Sequence, residues 1–258
     1  MSAWEKLNIA FVSALMVIIV IDVAWADIPF MYYASLVLIY AGVCAYGSFV
    51  LSAELFLPVV CRGDSSGRKI AVTFDDGPIS GKTEHILDIL EQHQVKAAFF
   101  CIGNRIRGNE DILSRIERDG HMVGNHTFYH RPSFGFLSAK QITDELMATD
   151  TEVERVIGQK PRFFRPPFGV SNPMVRRAVG LGRYRTIGWS IRSFDTTIKD
   201  PAKLLKRIAR SPVSGDIVLL HDYSESTITM LPDLIKYLRG HNFQIVRLDE
   251  LLKEKAYR

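Results

Sequence analysis

Short apolar runs alternate with amphipathic stretches along most of this chain, from Lys69 to Val246. Seven runs have the length and composition of β-strands: Lys69–Phe74, Ala97–Ile102, Met122–Asn125, Arg162–Arg165, Tyr184–Ser190, Asp216–Leu220 and Phe243–Val246. Helix signals lie between them, such as the capping-box pattern that begins at Ser138. Strands that alternate with helices are typical of parallel βα units, so the pattern predicts an α/β fold.

Two architectures suit this alternation, an open doubly wound sheet and an irregular (β/α) barrel with about seven strands. An open sheet of this kind commonly carries a glycine-rich nucleotide-binding loop after a strand, and the sequence has neither that fingerprint nor a Walker loop. The barrel is therefore favoured. Functional side chains in a barrel gather at the carboxyl ends of the strands.

The first predicted strand runs directly into two carboxylates, Asp75 and Asp76, within the stretch "TFDDGP". Gly77 and Pro78 follow, and because Asp, Gly and Pro all favour turns, the stretch is compatible with an ordinary surface turn. Paired carboxylates at a strand end are also suited to metal binding and to acid–base work. This stretch alone leaves both interpretations open.

Four further strands end in ionisable side chains. The stretches are "GNHTFYH" with His126 and His130, "RPPFG" with Arg165, "WSIRSFDT" with Asp195, and "IVLLHD" with His221. Because the carboxyl ends of barrel strands meet at one face, these side chains are predicted to lie close together. Unrelated polar surface residues do not explain why five strands end in this way.

His126 and His130 are four residues apart, a spacing that brings both to one face of a helical turn. With Asp76 they form a set of two histidines and one carboxylate, and catalytic zinc sites often use three such ligands. The same set also describes non-haem Fe(II) oxygenases, and two unrelated loop histidines are a third interpretation. An adjacent acid–base pair favours hydrolysis over oxygen chemistry.

The remaining strand-end residues suit that acid–base work. Asp75, beside the metal ligand Asp76, could act as general base on a water molecule whose pKa the metal lowers. Arg165 could orient Asp75, because guanidinium groups match carboxylates. His221 could protonate the leaving group, and Asp195 could hold His221 in the required tautomer and favour its charged form.

The stretches "TFDDGP", "HTFYH", "RPPFG" and "LLH", in this order, closely resemble the motifs of the polysaccharide deacetylase family, carbohydrate esterase family 4. The resemblance extends over residues 68–252 and implies an irregular (β/α) barrel that removes acetyl groups from glycans with a divalent metal, expected to be zinc. It implies the same roles by position: Asp75 as base, Asp76, His126 and His130 as metal ligands, Arg165 and Asp195 as orienting residues, and His221 as acid.

The fourth motif departs from the family pattern and leaves the substrate open. Many members follow the motif aspartate with tryptophan, whereas Thr196 follows Asp195 here, with Trp189 and Phe194 as possible aromatic substitutes. N-acetyl groups of chitin-like or peptidoglycan polymers are the expected target. O-acetyl groups of xylan and other non-peptide carbon–nitrogen bonds are alternatives, as is a non-catalytic glycan-binding module, which would not need Asp75 or His221.

The N-terminal part differs in character, and the predicted division is a membrane anchor over residues 1–62 and a catalytic domain over residues 63–258. The run Ile28–Ala53 has no charged residue and exceeds the ~20 residues that a membrane-spanning helix needs. The earlier run, Ile9–Ile21, is either a second span or a signal peptide, because Ala24-Trp25-Ala26 resembles a cleavage site. A second, uncleaved span is favoured.

Charge and cysteine content narrow the remaining classes. The formal net charge is +4 with no long basic run, which argues against nucleic-acid binding. The three cysteines form no CxxC pair, so neither a disulfide framework nor a cysteine-ligated zinc site is expected. Basic residues precede the first apolar run and follow the second, with none between them. The positive-inside rule therefore places the domain in the cytoplasm. The polymeric substrates implied by the family resemblance instead favour an outward-facing domain.

Overall fold

The computed structural model describes residues 1–25 and 27–258. Its strands are β1 (Lys69–Asp75), β2 (Ala98–Cys101), β3 (Met122–Asn125), β4 (Phe163–Phe164), β5 (Arg185–Thr186), β6 (Ile191–Arg192), β7 (Ile217–His221) and β8 (Gln244–Ile245). Its helices are α1 (Ala3–Ala24), α2 (Phe30–Phe49), α3 (Thr83–Gln92), α4 (Gly103–Ile106), α5 (Glu110–Arg118), α6 (Ala139–Ile157), α7 (Pro173–Gly182), α8 (Pro201–Ile208), α9 (Glu225–Gly240) and α10 (Leu248–Leu252).

The strands form one parallel sheet in the order β5-β4-β3-β2-β1-β7-β6, with β8 paired to the start of β1. In the described part of the chain no strand ladder joins β5 to β6, so the barrel is distorted and open there. The predicted α/β barrel is thus confirmed. Because the strands of this sheet are parallel, their carboxyl ends all lie at one face of the barrel.

The predicted strand Tyr184–Ser190 differs most from the observed structure, because only β5 is regular and an additional strand, β6, follows it. The reason is a change of partner along the chain. The Ile187 amide donates to the Phe164 carbonyl in β4, whereas the Ser190 amide donates to the Ile217 carbonyl in β7. The chain therefore crosses the barrel opening between these two residues and pairs again on the far side.

Alternation along β1 sets the direction of its side chains. Val72 and Phe74 lie in the hydrophobic core between sheet and helices, while Ala71 lies in the core inside the barrel. Because successive strand residues point to opposite faces, Thr73 and Asp75 share the inward face with Ala71. The same alternation that buries an apolar strand therefore turns the Asp75 carboxylate into the barrel.

Helices α1 and α2 form a hairpin whose apolar side chains are largely exposed, for example Leu38 at 70%. Both helices are long and apolar enough to span a membrane, a property that a signal sequence shares. At the end nearest the domain, Arg176 donates to the Ser2 hydroxyl and Ser171 donates to the Gly47 carbonyl. Ala26, part of the possible cleavage site, lies outside the described residues.

The segment that joins the hairpin to the barrel packs against the domain. Phe56 and Leu57 are buried in a hydrophobic cluster with Leu146 of α6 and Val175 of α7. The Val60 amide donates to the Thr186 carbonyl beside the barrel opening. These residues, although predicted as part of the anchor segment 1–62, contribute apolar contacts to the core of the barrel.

Candidate active site

A cavity of about 400 Å³ opens at the carboxyl ends of the strands. Five of the seven predicted site residues line it: Asp75, Asp76, His126, His130 and His221. The other two, Arg165 and Asp195, lie behind this wall and are fully buried. The structure therefore brings together all the predicted residues and separates those that reach the cavity from those that support them.

Asp76, His126 and His130 converge on one point. The Asp76 Oδ1 atom lies 3.5 Å from His126 Nε2 and 3.5 Å from His130 Nε2, and the candidate ligand atoms all lie within 4.8 Å of one another. His126 Nδ1 donates to the Arg165 carbonyl oxygen over 2.7 Å. Because a carbonyl can only accept, this bond leaves the His126 Nε2 lone pair directed at Asp76.

The electrostatics of this cluster fit a cation. Burial by itself raises the pKa of Asp76, but the facing imidazoles of His126, His130 and His221 together lower it more, so the pKa lies well below its ordinary value. Burial and the neighbouring His126 lower the pKa of His130 to about 4, so its ring is neutral at neutral pH. Asp76 Oδ1 is buried without a hydrogen-bond donor. A carboxylate oxygen facing two imidazole nitrogens matches the donor set of a divalent metal.

Arg165 holds Asp75 from behind. Its Nη1 donates to Asp75 Oδ1 over 2.7 Å and to Thr73 Oγ1 over 2.8 Å, and its Nη2 donates to the Gly188 carbonyl over 2.8 Å. The guanidinium also stacks 4.1 Å from the Phe100 ring. These contacts fix one Asp75 oxygen, while Oδ2 lies 3.9 Å from His126 Nε2 on the side of the metal cluster.

Asp195 holds His221 in a similar way. Asp195 Oδ1 accepts from His221 Nδ1 over 2.8 Å, and its Oδ2 accepts from the His221 amide over 2.7 Å and from the Thr227 hydroxyl over 2.5 Å. Burial alone lowers the pKa of His221, but the bond and charge of Asp195, together with the charges of Asp75 and Asp76, outweigh it and raise the pKa above its ordinary value. Nε2 remains as the ring nitrogen available for proton transfer in the cavity.

Four residues that line the cavity have left-handed backbone conformations, with φ of +80° at Asp76, +49° at His130, +58° at Phe168 and +60° at Phe194. Each such conformation costs about 1–3 kcal/mol for a residue other than glycine. Strain of this kind persists where surrounding contacts fix the backbone, and it concentrates at functional sites. The cavity wall is therefore built at a cost to local stability.

Sequence reasoning missed Asp222, which is fully buried directly after His221. Its Oδ2 accepts from Thr83 Oγ1 over 2.6 Å, and the same oxygen lies where a side chain on Gly77 would need to be. Burial raises the pKa of Asp222 to about 7, although the bond from Thr83 opposes this shift. The carboxyl group supports the turn that carries Asp76. The motif "LLHD" was its only signal, and that motif drew attention to the histidine alone.

Aromatic rings form the rest of the cavity wall. Trp189 and Phe194, the substitutes predicted for the departing fourth motif, both line the cavity. Phe168 and Tyr223, which sequence reasoning did not single out, line it too. Aromatic rings beside a few polar groups in a cavity are typical of sites that bind sugar faces or other flat apolar surfaces.

Residues 62–187 match the sequence profile of the family described as polysaccharide deacetylase. A structure of a CE4 pseudoenzyme from Bacillus anthracis is 31% identical, with a TM-score of 0.69, and the match covers 77% of this chain and 70% of that one. The chain belongs to the polysaccharide deacetylase family. A crystallised peptidoglycan N-acetylglucosamine deacetylase has a TM-score of 0.73 at 26% identity, and the match covers 78% of this chain and 95% of that chain.

A curated relative is the peptidoglycan N-acetylglucosamine deacetylase PgdA of Listeria monocytogenes, which is 33% identical over 205 residues. The match covers 80% of this chain but only 43% of PgdA, so the chain spans less than half of that relative's length. The matched family profile ends before Asp195 and His221. The roles of these two residues are therefore inferred from the geometry of the site.

Proposed function

We propose that this polysaccharide deacetylase family member is a metal-dependent hydrolase that removes N-acetyl groups from an amino-sugar polymer related to peptidoglycan. One observation carries the proposal. A buried cluster with the donors of a metal site, Asp76, His126 and His130, shares a single cavity with Asp75 and His221. Neither a binding module nor a structural metal site needs a carboxylate and an imidazole that face the same cavity from neighbouring strands.

Asp76, His126 and His130 would hold a divalent cation, with zinc as the expected ion. The cation would supply Lewis acidity and favour deprotonation of water at neutral pH. The chain contributes the orientation of the ligands. His126 keeps its Nε2 lone pair directed at Asp76 because its other nitrogen donates to the Arg165 carbonyl.

Asp75 and His221 would move the protons. Asp75, held through Oδ1 by Arg165, would use its Oδ2 to take the proton of the water that attacks the acetyl carbonyl. His221, held through Nδ1 by Asp195, would use Nε2 to protonate the departing amine. An amine is a poor leaving group, so this second transfer matters most for N-acetyl substrates.

The names of the relatives support an acetylated amino sugar. PgdA and the crystallised relative are both named as peptidoglycan N-acetylglucosamine deacetylases. Acetate release from peptidoglycan fragments, chitin oligomers and acetylated xylan, measured with one enzyme preparation, tests the proposal. Release from the first two substrates with none from xylan supports N-deacetylation. Release from xylan alone would make the protein an O-acetyl esterase.

A non-catalytic role is the second candidate, because a similar structure is described as a CE4 pseudoenzyme. Binding alone does not require Asp75, Arg165, Asp195 and His221, and all four are present with their mutual hydrogen bonds formed. A purified protein that binds these glycans but releases no acetate after zinc is added would favour the binding role.

The metal test has two readouts. Elemental analysis of the full chain should find about one ion per molecule. The double variant Asp76→Ala, His126→Ala should lose the ion, while His85→Ala, an exposed histidine outside the cavity, should keep it. Activity that chelation removes, and that zinc restores without oxygen, would support hydrolysis over non-haem iron chemistry. Full metal content in the double variant would refute this ligand set.

We also propose that residues 1–62 anchor the domain of residues 63–258 to a membrane. The hairpin contacts of Ser2 and Gly47 with the domain would leave the N-terminus and the domain on one side, which a polymeric substrate makes the outer side. Protease access in intact cells tests that orientation. A chain that begins at Leu51 should be more stable than one that begins at Ser65, since only the first retains Phe56 and Leu57.

A further inference from the structure

A second cavity of about 590 Å³ lies beside the candidate active site, and its wall is strongly basic. Five cations line it from different parts of the chain: Arg192, Lys203, Lys206, Arg207 and Arg210. Its lining includes no carboxylate among the residues that the structure describes. The formal net charge of the whole chain is only +4, so this one surface is far more basic than the chain as a whole.

These cations have almost no acidic partners. All five side chains belong to exposed residues, and within residues 1–25 and 27–258 the only carboxylate near any of them is Asp200, 4.0 Å from Lys203. Cations near the carboxyl end of α8 do stabilise that helix. This explains Lys206 and Arg207, but it does not explain Arg192 in β6, on a different element.

The basic cavity and the active-site cavity are neighbours that share Arg192 in their walls. Arg192 lines both cavities, as does no other of the five cations. Phe194 projects into the active-site cavity, and the guanidinium groups of Arg192 and Arg207 lie 4.8 Å and 4.3 Å from its ring. In addition, Arg207 Nε donates to the Arg192 carbonyl over 3.2 Å. An extended ligand could therefore occupy both cavities at once.

We infer that this basic cavity binds carboxylate groups carried by the glycan next to the sugar that is deacetylated, so that the enzyme prefers an anionic polymer to a neutral one. The inference rests on the proposed function. Peptidoglycan bears carboxylates on its peptide stems, whereas a chitin-like polymer bears none. A lipid headgroup would also attract cations, but the shared wall places this surface beside the reacting groups.

Matched substrates test the inference on the full chain in phosphatidylcholine nanodiscs. One is a peptidoglycan fragment with free carboxylates, and the other is the same fragment with the carboxylates converted to carboxamides. The triple variant Lys203→Gln, Lys206→Gln, Arg210→Gln spares Arg192 and Arg207, which support the cavity wall. Exposed ion pairs each change affinity by a few-fold, so the kcat/KM ratio of acidic to amidated fragment should fall about tenfold.

Two controls accompany this variant. Lys203→Arg, Lys206→Arg, Arg210→Lys keeps every charge and should keep the wild-type ratio. Lys236→Gln, Lys253→Gln, Lys255→Gln removes the same charge from residues that line neither cavity and should also keep it. The wild-type preference should weaken as salt is raised, because salt screens exposed charges.

Other outcomes would overturn the inference in distinguishable ways. Equal losses on both fragments, or no loss on either, would leave the proposed deacetylation intact and remove the anion subsite. A loss that appears only when phosphatidylglycerol is added to the nanodiscs, whatever the charge of the fragment, would assign the surface to lipid. No acetate release by the wild-type protein from either fragment would defeat the proposed function itself.

Discussion

The base side of the candidate active site (Asp75 with Arg165) and its acid side (His221 with Asp195) are built alike. In each, a buried residue of opposite charge holds the residue that faces the cavity. On one side a fully buried cation, Arg165, holds Asp75 at 2.7 Å. On the other a fully buried anion, Asp195, holds His221 at 2.8 Å. In both pairs the supporting residue lies behind the cavity wall and the supported residue faces the cavity.

The difference lies in what each support does. The Arg165 fork also bonds Thr73 and the Gly188 carbonyl, so the fork is itself fixed and holds one oxygen of the Asp75 carboxylate in place. Asp195 acts on protonation, because its charge and hydrogen bond raise the pKa of His221 against the effect of burial. The comparison therefore predicts that a change at Arg165 affects rate, and that a change at Asp195 affects pH dependence.

The largest effect is expected from removing the base. Asp75→Asn keeps the size of the side chain and its contact with Arg165, but an amide cannot accept the proton of water. We expect kcat to fall at least ~10²–10⁴-fold, the range of a general acid–base role, with metal content unchanged. Steady-state kinetics and elemental analysis measure the two. Retained kcat with full metal would show that Asp75 is not the base.

The loss of kcat on removal of the acid should depend on the leaving group of the substrate. His221→Ala removes the proton donor for the amine, so kcat on an N-acetyl sugar should fall ~10²–10⁴-fold. An activated aryl acetate releases an anion that needs no proton, and the loss on that substrate should be far smaller. Asp75→Asn should reduce both reactions alike, and it thus serves as the matched comparison. Equal losses on both substrates for His221→Ala would require a different acid.

Much of this asymmetric site could be predicted from the sequence because each ionisable residue follows a strand. Parallel βα units bring strand ends to one face, so the order of "TFDDGP", "RPPFG" and "LLH" already predicted that Asp75, Arg165 and His221 would meet. Alternation along β1 also explains why Asp75 points inward while Phe74 packs outward. These are local patterns, and local patterns are visible in a sequence.

Other features depend on contacts that no local pattern reveals. Strand β6 exists because the chain changes partners between Ile187 and Ser190 across the barrel opening. Asp222 supports the turn at Gly77 from a distant part of the chain, and Phe56 packs on helices that follow it by many residues. The basic cavity likewise combines β6 with α8. Each requires the tertiary structure before its neighbours are known.

A smaller loss is expected at Arg165, where the comparison predicts a purely positional effect. Arg165→Lys keeps the positive charge but loses the planar fork that reaches Asp75, Thr73 and Gly188 together. We expect kcat to fall about 10–100-fold, as is usual when a residue that orients a metal-site group is changed. The pH–rate profile should keep its shape. Circular dichroism controls for folding, since the residue is fully buried.

The smallest effect at the optimal pH, and the most specific one, is expected for Asp195→Asn. His221 must be protonated to act as the acid, so the rate falls as pH rises through its pKa. Asp195 raises that pKa, and the amide of Asn lacks the charge that does so, so the alkaline limb should move to lower pH. Well below the new limb His221 is protonated in both proteins, and the rates should converge. A pH–rate profile with kcat reduced equally at every pH and no shift of the limb would mean that Asp195 only positions His221. The two sides of the site would then work in the same way, and the contrast between them would fail.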